Sequence, residues 1–97
     1  MHANSTLKSA GDGFELSALS LRSAAAPIGG VVVIQEIFGL TDHIADMSLR
    51  FAEEGYEVLA PGLFERVAIG FHVEIDAAGI DKGRAAVSAT PWAQVAA

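Results

Sequence analysis

An α/β fold, a short β-hairpin followed by a parallel strand–helix–strand unit, is predicted by three features of this 97-residue chain. Val31 to Ile34 is an unbroken run of β-branched residues, the composition of a central strand covered on both faces. Leu40, Ile44, Met47 and Phe51 recur at helical spacing directly after it. Tyr56 to Ala60 then reads as a second buried strand, stopped by Pro61-Gly62.

Taken in order, the hairpin spans about 6–22, the strand–helix–strand unit about 30–63, and a loop and helix fill 64–97. Gly11-Asp12-Gly13 supplies the hairpin turn. Phe14, Leu16 and Ala18 alternate cleanly, and the phase shifts at Leu19 and Leu21, so an edge strand carrying a bulge is expected. "SAAAPIGG" ends that element with small residues, a proline and two glycines. Thr41 is placed to cap a helix from about Asp42 to Glu54, with Asp42 in its first turn against the helix dipole. The crossover back to the second strand should be right-handed. "ERVAIGFHVEIDAAGI" keeps neither period and reads as an excursion over the carboxyl end of the sheet. "DKGRAAVSATPWAQVAA" is helical in composition, interrupted at Thr90-Pro91.

The totals narrow the function. A net charge of -6 with only six Lys and Arg leaves no basic footprint for nucleic acid or an anionic membrane. No apolar run reaches the roughly 20 residues of a membrane span, and the start lacks a signal-peptide pattern, so a soluble, cytoplasmic protein is expected. Without cysteine there is no disulfide, thiolate nucleophile or Cys-based metal site, and no cofactor is expected.

The chemistry concentrates in "VVVIQEIFG", where a strand that reads as buried runs straight into Glu36. Ligands of open α/β sheets bind outside the carboxyl ends of the strands. A partly desolvated carboxylate there needs a hydrogen-bonding or cationic partner, or a raised pKa. The alternative is a glutamate that turns to solvent and caps a backbone group.

The stretch "VVVIQEIFGLTDHIADMSLRFAEEGYEVLAPGLFER" closely resembles the dienelactone hydrolase family, a branch of the α/β-hydrolase fold. Gln-Glu-Ile-Phe-Gly after a strand, a helix ending at Glu-Gly-Tyr, and Ala-Pro before Leu-Phe-x-Arg carry the resemblance. It implies the N-terminal part of an α/β-hydrolase sheet and a small-molecule ester or lactone substrate, cleaved through a covalent acyl-enzyme. By the resemblance, Glu36 interacts with and activates the nucleophile, and Ile37 donates a backbone N–H to the oxyanion. Arg66 matches the family's arginine after the Ala-Pro turn. Arg66 and Arg84 are the substrate-binding candidates, although the family's tyrosine has no counterpart after Tyr56. Phe64 reads as packing.

The family's Gly-x-Cys-x-Gly elbow is absent, and no serine has the flanking glycines of a Gly-x-Ser-x-Gly elbow. The chain alone is therefore expected to be inactive. His43, in the first turn of a helix, reads more simply as solvated than as a general base, and His72-Val73-Glu74 as a wet loop rather than a metal pair. Asp42, Asp46, Glu53 and Glu54 read as the helix's solvated face. In the fold's usual order the nucleophile strand lies beside Val31 to Ile34. Without it that strand has an open edge, which invites self-association or pairing with a missing C-terminal segment. The competing reading is a non-catalytic α/β binding or interaction module, a remnant or split subunit.

Overall fold

The computed structural model describes residues 3–96. Two strands, β1 (Ser5–Lys8) and β2 (Glu15–Leu21), form the hairpin. They are followed by β3 (Gly29–Val32), α1 (Asp42–Glu53) and β4 (Tyr56–Pro61), then α2 (Ala77–Ala89) and α3 (Trp92–Ala96). The four strands share one sheet in the order β1-β2-β4-β3. The hairpin is antiparallel, β2 joins β4 antiparallel, and β3 joins β4 in parallel.

The expected bulge in β2 is not there. Its register is one-for-one, Glu15 to Ala18 against β1 and Ala18 to Leu21 against β4. The shift of apolar phase marks a change of neighbour: Ala18 pairs with Ser5 on one side and Pro61 on the other. Ala18 and Leu19 are consecutive and both buried. Two adjacent residues of a strand can both be buried only where each face is covered.

β3 departs from the central, doubly covered strand that its composition suggests, and has the open edge expected from the fold's strand order. It lies at the end of the sheet rather than at its centre, because β4 intervenes between it and the hairpin. It begins at Gly29, and its pairing continues only as far as the Val33 N–H, which donates to the Leu59 carbonyl at 2.9 Å. Val33 is buried, whereas Val32 and Ile34 are 60% and 59% exposed. An alternating strand with one open face explains that contrast.

The core lies between the sheet and α1, where Leu19, Val33, Leu40, Ile44, Ala52, Val58 and Ala60 meet. α1 buries Ile44, Ser48 and Ala52, a ladder at i, i+4, i+8, while Met47 and Phe51 are exposed. The expected apolar stripe is thus rotated. Ser48 is tolerated inside because its hydroxyl donates to the Ile44 carbonyl at 2.8 Å, satisfying the buried donor within the helix. Thr41 has the extended backbone of an N-cap but makes no side-chain cap bond, and its buried hydroxyl oxygen lacks a partner among the described residues.

α2 starts four residues before "DKGR", because the Asp76 carboxylate accepts from the Gly79 N–H at 2.7 Å and caps the helix there. It ends before Pro91, with Thr90 in the extended conformation that proline demands of its predecessor. Its last turn is tied down by Trp92 of α3, whose indole N–H donates to the Val87 carbonyl at 2.9 Å. The Trp92 ring meets Phe64, which is buried edge-on against Phe71 and Trp92 at 5.2 and 6.1 Å. Phe64 is therefore a packing residue, as expected.

Candidate active site at the carboxyl end of the sheet

Beyond Val33 the chain must leave the sheet, and Gln35 controls how. Its side-chain oxygen accepts from the Leu63 N–H at 2.8 Å, and its side-chain nitrogen donates to the Glu36 carbonyl at 3.1 Å. One amide thus ties the end of β3 to the segment after β4. The chain then turns over Glu36 to Gly39, closed by the Gly39 N–H on the Glu36 carbonyl at 3.1 Å. Gly39 has φ of +88°, and a Cβ there would overlap the Phe71 carbonyl. Both the backbone conformation and the close approach demand glycine.

The turn rests on a second segment. The Val73 N–H donates to the Phe38 carbonyl at 3.0 Å, and His72 bridges Gly39. On its other flank the Ile37 carbonyl lies against Gly83 of α2, where a Cβ would overlap it. Ile37 is half-buried, and its N–H makes no hydrogen bond to another described residue. Glu36 is exposed, where the buried-strand reading expected partial desolvation. Val32 and Ile34, which precede it on the same alternation, are exposed as well.

His43 and His72, both exposed, line one open cleft of about 270 Å³ with Leu40, Thr41, Val73 and Glu74. The fold therefore brings together two histidines that lie 29 positions apart (72 − 43). The His72 Nδ1 sits 3.0 Å from the Gly70 carbonyl. A carbonyl can only accept, so this contact requires the Nδ1–H tautomer or the protonated ring. Among the described residues no group of three or more His, Cys, Asp or Glu could hold a metal ion. No helix among them is long and apolar enough to cross a membrane.

Arg66 lies elsewhere. Its Nε and Nη2 donate to the two Asp12 carboxylate oxygens at 3.1 and 2.9 Å, and its guanidinium carbon stands 4.8 Å above the Phe14 ring. Its fork is spent on the tip of the hairpin. The Arg66 bonds, with the Phe14 N–H second, hold the Asp12 carboxyl down at about 2. Arg84 and Lys82 are exposed on α2 and paired with no described residue. Of the expected site residues, Glu36 and Ile37 share one turn, and Arg84 follows the glycine that packs on Ile37. Arg66 belongs to a separate clasp.

Two contributors escaped the sequence reading. Glu65, 4% exposed, accepts from the Ser17 N–H at 2.8 Å and from the Gly70 N–H. Asp12 holds Arg66. Their partners lie 48 and 54 positions away in the chain, which no local pattern reveals. A glutamate directly between Phe64 and Arg66 was the available signal.

Comparison with known proteins bears on the same stretch. The model of the dienelactone hydrolase family matches residues 16–95. The chain belongs to the dienelactone hydrolase family. It is 43% identical over 65 residues to a Synechocystis protein named "Putative carboxymethylenebutenolidase", a match covering 67% of this chain and 26% of the relative. A Saccharolobus solfataricus protein of the same name is 47% identical over 55 residues, covering 57% and 21% respectively. The crystal structure of a Klebsiella pneumoniae protein described as a "Putative Dienelactone Hydrolase" superposes with a TM-score of 0.68 at 33% identity, covering 94% of this chain and 38% of that one. The matched stretch spans about a quarter of the curated relatives' length. Membership of this hydrolase family also supports the α/β-hydrolase assignment of the sheet.

Proposed function

We propose that the protein is an ester or lactone hydrolase working through a covalent acyl-enzyme, with Glu36 engaging the nucleophile and the Ile37 N–H donating to the oxyanion. The observation that carries this reading is the Glu36 to Gly39 turn. It is braced on both sides, lies at the carboxyl end of a parallel strand pair, and leaves the Ile37 N–H unspent. An oxyanion donor is worth about 3 kcal/mol of transition-state stabilisation when it is fixed before the charge develops. Because the chain has no cysteine, this reading takes the nucleophile from outside these 97 residues. It gives Arg84, rather than the clasped Arg66, any contact with an anionic substrate group. It also predicts that the bare outer edge of β3 takes another strand, from a second copy or from further chain.

The test is the intact mass of the protein in its source and the reading frame after Ala97, followed by ester turnover of the natural form and of its Glu36→Gln variant. A Gly-x-Cys-x-Gly or Gly-x-Ser-x-Gly elbow and at least about a tenfold loss in Glu36→Gln are expected. Unchanged turnover would remove Glu36 from the mechanism. A natural mass of 10.1 kDa would favour the second reading, a non-catalytic interaction module, for which the exposed Val32 and Ile34 beside the open β3 edge already speak.

A further inference from the structure

Glu65 presents a physical puzzle. A carboxylate 4% exposed is costly to bury, and an apolar side chain would fill the same space beside Phe64 more cheaply. Its two oxygens are instead occupied by backbone donors, the Ser17 N–H of β2 and the Gly70 N–H. Charge-assisted bonds of this kind are strong and directional. Gly62 fits closely around the same group, since a Cβ there would come within 2.9 Å of the Glu65 Cγ, and its N–H donates to the Ser17 carbonyl at 2.8 Å.

From Gly70 the contacts continue toward the candidate site. The Gly70 carbonyl meets the His72 Nδ1, His72 bridges Gly39, and the Val73 N–H holds the Phe38 carbonyl. The first of these contacts lies within the 70–73 segment and holds the His72 ring, and the other two join that segment's backbone to the turn. We propose that Glu65 is a positioning residue: it anchors the 70–73 segment to β2, and that segment in turn sets where the Glu36 to Gly39 turn stands. The consequence for catalysis rests on the hydrolase reading above, whereas the placement of the turn does not.

The test reads the placement directly. In the 15N-labelled chain, amide exchange and the His72 ring nitrogens are compared for wild type, Glu65→Gln and Glu65→Asp. Glu65→Gln keeps only one acceptor oxygen, so exchange should quicken about tenfold or more at Gly70, Val73 and Gly39. The β3–β4 ladder, including the Val33 N–H, should be unchanged. The His72 ring should lose its preference for a proton on Nδ1. Glu65→Asp retains the charge but is one methylene short of spanning both donors, and should shift the same signals in the same direction by less. Faster exchange confined to Ser17 and Gly70, or no change anywhere, would overturn the proposal. So would loss of the whole fold in both variants, which would make Glu65 a general fold residue. Hydrolysis is not read, so a failure of the Glu36 assignment leaves this result interpretable.

Discussion

Among the described residues, two ion pairs link the hairpin to β4 and the segment that follows it, one at each end of β4, and they are built differently. At the carboxyl end Arg66 grips Asp12 with two bonds, its side chain 9% exposed and that of Asp12 26%. At the amino end Arg22 touches Glu57 through one contact of 3.3 Å, with the two side chains 86% and 46% exposed. The first pair has company: Glu65 fastens β2 to the following loop, and Gln35 fastens β3 to it. Near the second, the Ile28 N–H donates to the Gly55 carbonyl at 3.0 Å and Asn4 clasps Ser20 within the hairpin, but no buried side chain ties the strands together there among the described residues. The contrast teaches where the molecule spends its shielded side-chain bridges between strands, namely at the end from which the Glu36 to Gly39 turn emerges.

The largest effect should come from disturbing that braced end at its tightest point. In Gly39→Val a branched side chain would have to adopt φ of +88° and displace the Phe71 carbonyl. Left-handed strain and the overlap together should cost more than about 3 kcal/mol, read by urea unfolding. A loss under about 1 kcal/mol would mean that the 71–73 segment is not held against the turn.

Next comes the apolar core that both ends share. Ile44→Ala should cost about 2–5 kcal/mol, because Ile44 is buried against the sheet. Phe51→Ala, on the exposed side of α1, should cost clearly less despite the larger side chain removed. Equal losses would restore the apolar stripe that the sequence suggested for α1.

The carboxyl-end clasp is separable by pH. The folded-state carboxyl of Asp12 is lowered from its ordinary 3.8 to about 2, chiefly by Arg66. A depressed carboxyl contributes stability that is fully present above its unfolded value and is lost as pH falls through the folded one. Wild type should therefore lose stability between about pH 4 and 2 relative to Asp12→Asn, read as the difference between their thermal midpoints across that range. Parallel curves would show that Asp12 is not held by Arg66 in solution.

How much of this was legible in the sequence follows the reach of each contact. Val31 to Val33, the helix from Asp42 and the strand from Tyr56 were readable because their patterns are local. Gln-Glu-Ile-Phe-Gly was readable as a motif. The edge position of β3 was legible only through the family's strand order, since nothing within Val31 to Ile34 records which strand β4 pairs with, and its composition alone reads as central. The face of α1 was misjudged because Ser48 satisfies its hydroxyl inside the helix, so a polar letter stands at a core position. The bonding of Glu65 and Asp12 left no trace in the sequence because their partners lie about 50 positions distant.

The smallest effect is expected at the amino end, and it sharpens the comparison most. Arg22→Ala removes a single contact between two exposed groups, a class of interaction worth about 0.2–1 kcal/mol and screened by salt. Its loss should fall within about 0.5 kcal/mol and vanish in molar salt. Arg66→Ala should cost more, and part of that cost should persist in salt, because the side chain also covers Phe14. Double-mutant cycles on the two pairs make the comparison quantitative. If Arg22 and Glu57 couple as strongly as Arg66 and Asp12, then the hairpin is held evenly along β4. The difference between the two ends would then not come from their ion pairs, leaving Glu65 and Gln35 to account for it.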